Sequence, residues 1–175
     1  MKTLITLTLI AASAPLALLA QANPVVTSSK EVYDRQEKFI IASAELMPAD
    51  KYSFKPTAGQ ITFGKAIAHL VDANSYVCPM LTTAPPAPRG APTSETLSKE
   101  ALVAALKTSF AICDKAMAGL QDSQLGDTIA FFGGKPAPRA RALIEEVGDL
   151  EDHYSQLAAY LRLNDIIPPS AQPKK

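Results

Sequence analysis

The sequence predicts an all-α protein, a four-helix bundle with a long crossover between its second and third helices. Four segments repeat apolar residues every three or four positions, which is the period of an amphipathic helix. Tryptophan is absent and aromatic residues make up only 6% of the chain, so the core must consist largely of Leu, Ile, Val and Ala. A proline-rich stretch at 82–93 cannot be helical and is long enough to cross the end of a bundle.

The first helix is predicted from about residue 30 to residue 46. Ser28 and Glu31 have the spacing of a capping box at its start. Pro48 ends the helix, because a proline disfavours helical geometry in the residue before it, Met47.

The second and third helices also have recognisable ends. Thr62 is a suitable N-cap for a helix from about 63 to 77 or 78, and Pro79 stops that helix. Ser98 is a suitable N-cap for a helix that runs to about Met117. The apolar stripe of the third helix consists of Leu102, Leu106, Phe110, Cys113 and Met117.

The fourth helix is predicted from about Pro138 to Leu163. Before it, residues 127–132 are predicted as a short helical turn, and Gly133-Gly134 breaks the chain. The core-facing stripe of this helix consists of Leu143, Val147, Leu150, Tyr154, Leu157 and Leu161.

Residues 1–22 have the features of a secretory signal peptide. Lys2 supplies a positive charge, an apolar run extends from Leu4 to Leu19, and Ala20-Gln21-Ala22 has the small-x-small cleavage pattern. The alternative is an uncleaved membrane anchor, but the apolar run is shorter than the roughly 20 residues that span a bilayer. The sequence therefore predicts a periplasmic or secreted protein.

We expect cleavage after Ala22, so that the intact mass of exported protein corresponds to a chain that starts at Asn23. Mass spectrometry of a periplasmic extract measures this directly. Cytosolic protein that retains Met1 would contradict the prediction.

The remaining chain is long enough for one domain, predicted at 28–170 and followed by a short tail at 171–175. The full chain has 17 basic and 17 acidic residues, and neither charge forms a block. Such a balance favours neither a nucleic-acid partner nor a membrane-surface partner once the leader is removed. A nucleophilic triad, a phosphate loop and a dinucleotide motif are also missing from the sequence.

The chain contains only two histidines, His69 and His153. His153 follows Asp149 by four positions on the predicted fourth helix, so the two side chains share one flank and can share an ion or a proton. The alternative is an ordinary ion pair at a helix boundary, worth about 0.2–0.5 kcal/mol. On the second helix, periodicity alone places His69 on the solvent side.

The two cysteines, Cys78 and Cys113, both fall on apolar stripes, of the second and third helices. An exported compartment permits a disulfide between them. The alternative is a pair of buried thiols that pack as small apolar side chains.

Several motifs resemble the DinB-like (DinB/YfiT) superfamily, in the family's order and over nearly all of the chain after residue 30. The C-terminal motif is His153-Tyr154-x-Gln156-Leu157, then Tyr160-Leu161-Arg162 and Ile167-Pro168-Pro169-Ser170. Two earlier motifs are Leu46-Met47-Pro48-Ala49-Asp50-Lys51-Tyr52-Ser53-Phe54-Lys55-Pro56-Thr57 and Phe63-Gly64-x4-His69-Leu70-Val71-Asp72-Ala73-Asn74. Weaker similarities are Phe110-x2-Cys113-Asp114 and Phe131-Phe132-Gly133-Gly134.

The resemblance implies a four-helix bundle whose core often binds a divalent metal through three histidines. The family's second histidine normally lies four residues before the His153 position, where this chain has Asp149. The implied ligand set is thus His69, Asp149 and His153, and two imidazoles with one carboxylate suit zinc, nickel, iron or manganese.

Two functions follow from the resemblance. Characterised relatives include thiol-dependent S-transferases, which implies metal-dependent transfer or hydrolysis of a small molecule in this exported member. The replacement of a histidine by Asp149 favours the alternative, a non-catalytic bundle that binds a partner or a small ligand. A homodimer is compatible with either function.

Overall fold

A computed structural model describes residues 23–83 and 92–173 of the chain. It confirms the all-α prediction with four long helices, α1 (Pro24–Leu46), α2 (Phe63–Val77), α3 (Lys99–Ala118) and α4 (Arg139–Arg162). The predicted signal peptide, most of the proline-rich crossover and the last two residues lie outside the described residues. Within the described ranges, no helix is both long and apolar enough to span a bilayer.

Helix α1 begins at Pro24, earlier than predicted, and the capping box of Ser28 and Glu31 is wrong because both residues lie inside the helix. The true cap comes from elsewhere in the chain. Backbone N–H groups of Val25 and Val26 donate to the Asp122 carboxylate at 3.0 and 2.8 Å. A carboxylate at a helix N-terminus satisfies free N–H groups and complements the helix dipole.

The predicted caps of α2 and α3 are present. The Thr62 hydroxyl accepts a hydrogen bond from the N–H of Lys65 at 3.0 Å. The Ser98 hydroxyl accepts one from the N–H of Ala101 at 3.2 Å. Both caps are local, which explains why the sequence located these helix starts accurately.

The helical turn predicted at 127–132 is wrong. A two-stranded antiparallel hairpin stands there, with β1 (Thr128–Ala130) and β2 (Pro136–Pro138). Gly133 and Gly134 have φ values of 69° and 75°, which glycine adopts without strain. A short apolar run cannot be assigned to helix or strand by periodicity alone. The two glycines lie between the strands, where their positive φ values allow the chain to turn back and form the hairpin.

The helix directions follow from side-chain pairs between helices. Asn74 on α2 bonds to Ser109 on α3, and four residues further along each chain segment Cys78 meets Cys113, so the two helices run parallel. A parallel pair requires a long crossover, as predicted from the proline-rich segment.

The core is built from the predicted apolar stripes. Every member of the α3 stripe is buried, as is every member of the α4 stripe except the half-buried Val147. Helix α2 is buried on more than one side, because Ala66 and Ala68 pack inward beside its main stripe. The largest fully buried side chains are Tyr33, Tyr160, Phe63, Phe110, Ile40 and Met47.

Candidate metal centre

Helix α4 places Asp149 and His153 together by its own geometry. The Nδ1 atom of His153 lies 3.4 Å from Oδ1 of Asp149. The same nitrogen lies 2.9 Å from the backbone oxygen of Asp149. A carbonyl oxygen can only accept, so Nδ1 carries the proton and the lone pair of Nε2 is left for an ion.

Helix α2 brings His69 to the same place. Its Nε2 atom lies 3.7 Å from Oδ1 of Asp149, and its ring stacks on that of His153 with 4.6 Å between centroids. The His69 side chain is 49% exposed and that of His153 only 13%. Periodicity predicted that His69 faces solvent, and its side chain does lie at the solvent-exposed edge of the site. Because α2 packs against α4, His69 also reaches Asp149 and His153.

The three side chains offer donor atoms that all lie within 4.8 Å of one another. This spacing is close to that of ligands around one ion, since bonds of about 2.0–2.2 Å put donors roughly 3–4 Å apart. The second carboxylate oxygen of Asp149, Oδ2, is buried and has no hydrogen-bond partner among the described residues. A buried carboxylate oxygen without a partner is costly, and a cation would satisfy it.

The electrostatics of the site favour an ionised Asp149. Burial opposes its ionisation, but hydrogen bonds and charge from His153 and His69 outweigh that effect and hold its pKa well below the usual range. Burial also acts to lower the pKa of His153, and the adjacent Asp149 carboxylate raises it overall. The carboxylate is thus a ready metal ligand near neutral pH, whereas protons compete for His153.

An open cleft of about 460 Å³ borders His69. Its walls are the outer face of α2, including Lys65 and Asp72, and residues 92–96 after the crossover. Access from solvent to the exposed histidine therefore does not require the bundle to open.

A buried acid lies one turn before Asp149 on α4. Glu146 is only 2% exposed, and burial together with the nearby charge of Asp149 raises its pKa to about 8. Helix periodicity puts Glu146 beside the apolar stripe, three residues after Leu143 and four before Leu150, and its burial depends on packing against other helices, including Cys113 of α3. Glu145 does not have this spacing and is only half-buried.

The structure joins Cys78 and Cys113 in a disulfide with 4.9 Å between Cα atoms, which is within the normal range. Both residues are fully buried. The bond ties the end of α2 to the middle of α3 and lies beside Glu146, whose Oε1 is 3.6 Å from the sulfur of Cys113.

The protein is thus a four-helix bundle in which two histidines and a carboxylate converge between α2 and α4. Residues 33–157 match the DinB superfamily, and the chain belongs to that family. Among curated proteins, none matches the chain significantly.

Solved structures share the fold. A DinB-like protein from Bacillus cereus aligns with a TM-score of 0.66 at 15% identity, over 81% of this chain and 93% of its own. A DinB-like protein from Bacillus subtilis aligns with a TM-score of 0.59 at 16% identity, over 79% and 94%. The mycothiol-dependent maleylpyruvate isomerase aligns at 0.61 and 15% identity, over 75% of this chain but only 60% of its own length.

Proposed function

We propose that this protein is an exported DinB-family protein that binds a divalent metal through His69, Asp149 and His153. The observation that carries the proposal is the convergence of these three side chains, together with the second carboxylate oxygen of Asp149, Oδ2, which is buried without a hydrogen-bond partner among the described residues. Zinc, nickel, iron and manganese all accept two imidazoles and a carboxylate. Export rests on the signal-peptide features of residues 1–22.

The ligand set supports metal-dependent transfer or hydrolysis. Three protein ligands leave coordination positions free, and a bound divalent metal there would polarise a substrate or lower the pKa of a bound water or thiol. His153 is oriented by its hydrogen bond to the backbone of α4, and Asp149 contributes a fixed negative charge that a histidine would not. The fold shared with a mycothiol-dependent isomerase is compatible with this class of chemistry.

The cleft beside His69 leaves room for a substrate on the solvent side of the site. A substrate in the cleft beside His69 would contact Lys65 and Asp72, which offer one positive and one negative group. His153 and Asp149 are less exposed than His69. A substrate could therefore approach from the side of His69, while the buried side holds the other two ligands in position.

Removing or restoring a ligand tests the proposal in the oxidised, mature protein. We expect about one equivalent of zinc or nickel in the wild type, and His153→Ala should lower affinity about 100-fold or more because one of two imidazoles is lost. Asp149→His should raise affinity, because it restores the three-histidine set that the family uses. Calorimetric titration measures both effects.

Asp114→Asn is the matched control, because Asp114 belongs to a separate group of acidic side chains with Asp34 and Glu37. It should bind metal like the wild type. Failure of the wild type to bind after loading with zinc, nickel and manganese would favour the non-catalytic bundle that binds a partner or small ligand.

A further inference from the structure

A second group of donor atoms lies in the core, between α2, α3 and α4. Donor atoms of Cys78, Cys113 and Glu146 lie within 4.8 Å of one another, and all three residues are buried. Helix α4 thus contributes to two groups, through Glu146 to this one and through Asp149 and His153 to the candidate metal centre.

The surroundings of Cys113 suit a thiol better than a disulfide. Its sulfur lies 3.6 Å from Oε1 of Glu146 and 3.8 Å from the backbone oxygen of Asn74. A disulfide sulfur carries no hydrogen, so it cannot donate to either oxygen. After reduction, the single S–H group of Cys113 can donate to one of these two oxygens at a time.

At this place, among the residues that the structure describes, a buried acid, Glu146, lacks a cationic partner, and a buried amide oxygen, that of Asn74, lacks a hydrogen bond. Within residues 23–83 and 92–173, Glu146 forms no salt bridge with a lysine or arginine. The side-chain oxygen of Asn74, one turn before Cys78 on α2, is buried without a hydrogen-bond partner in the same ranges. Buried polar atoms without partners are uncommon, and a bound cation would satisfy both.

We propose that reduction of the Cys78–Cys113 disulfide creates a second metal site, in which both thiolates and the Glu146 carboxylate bind zinc. The unpartnered side-chain oxygen of Asn74, one turn before Cys78 on α2, is a candidate for a fourth ligand. Zinc is the expected metal, because it takes thiolate and carboxylate ligands together in a closed tetrahedral site.

The reaction balances with an external dithiol as reductant. The dithiol supplies two electrons and two protons, the protein S–S bond breaks to give two S–H groups, and the dithiol becomes a disulfide. Zinc then replaces the two thiol protons and the proton of the Glu146 carboxyl group. In the oxidised protein neither sulfur is a thiolate, so this site cannot form there.

Cobalt substitution tests the proposal on a His69→Ala/His153→Ala variant, which lacks the imidazole ligands of the first centre. We expect the reduced variant to bind one equivalent of Co²⁺ with a thiolate-to-cobalt charge-transfer band, and the oxidised variant to show no such band. Zinc should displace the cobalt and raise the Tm of the reduced protein. Glu146→Gln in this background should weaken zinc binding about tenfold or more.

Three results would overturn the proposal. One is a reduced protein that keeps its helical circular dichroism but shows no thiolate band. The second is a reduced protein that unfolds at the same temperature with and without zinc. The third is zinc affinity unaffected by Glu146→Gln, which would indicate that zinc binds the two thiols without the Glu146 carboxylate. None of these results bears on the histidine centre, which is measured in oxidised protein.

Discussion

Glu146→Gln is expected to stabilise the oxidised, metal-free protein at alkaline pH and to change its stability little at acidic pH. Burial, and after it the charge of Asp149, raises the pKa of Glu146 from 4.5 to about 8. Between these two values the folded protein holds a proton that the unfolded chain has lost. The free energy of unfolding therefore falls as pH rises from about 4.5 to about 8, and levels off above that.

Glutamine removes this penalty because it has nearly the same shape and no charge. Each pKa unit is worth about 1.4 kcal/mol, so we expect the variant to be more stable than the wild type by about 3–5 kcal/mol at pH 9. Urea unfolding at pH 4.5 and pH 9 measures the difference.

Glu145→Gln is the control for the Glu146 variant. Glu145 lies one position earlier, is only partly buried and pairs with Arg141 at 3.5 Å. Its substitution should leave the pH dependence of stability unchanged. If Glu146→Gln and the wild type show parallel pH profiles, Glu146 is ionised in the fold and the prediction is wrong.

The parts of the fold that were predictable from sequence are those with local causes. Thr62 and Ser98 cap the helices that follow them, and each hydrogen bond spans three residues. The start of α1 was not predictable, because its cap is Asp122, 97 residues away from Val25. The hairpin was missed because three-residue strands have no periodicity to detect.

The same distinction applies to the candidate site. The proximity of Asp149 and His153 follows from helix geometry and needed no structure. The position of His69 did not follow from periodicity, because α2 packs on several sides and its partly exposed face meets α4. The family resemblance supplied that residue. The extent of burial of Glu146 required the structure, since it depends on packing against other helices, including Cys113 of α3.

Removing the disulfide is expected to destabilise the protein by about 3–4 kcal/mol. The bond closes a loop with a sequence separation of 35, and chain entropy predicts that such a cross-link contributes about 3–4 kcal/mol by restricting the unfolded state. Cys78→Ala/Cys113→Ala should lose that amount, and urea unfolding with circular dichroism should also give a larger m value, because the unfolded chain exposes more surface.

Reduced, zinc-free wild type is the matched comparison, because it lacks the cross-link but keeps both cysteine side chains. It should lose a similar amount of stability. Equal unfolding midpoints for the oxidised wild type and the double variant would contradict the prediction, as would two thiols that react with a thiol reagent in unfolded, unreduced protein. A loss in the double variant with none in the reduced wild type would instead assign the effect to packing of the sulfur atoms.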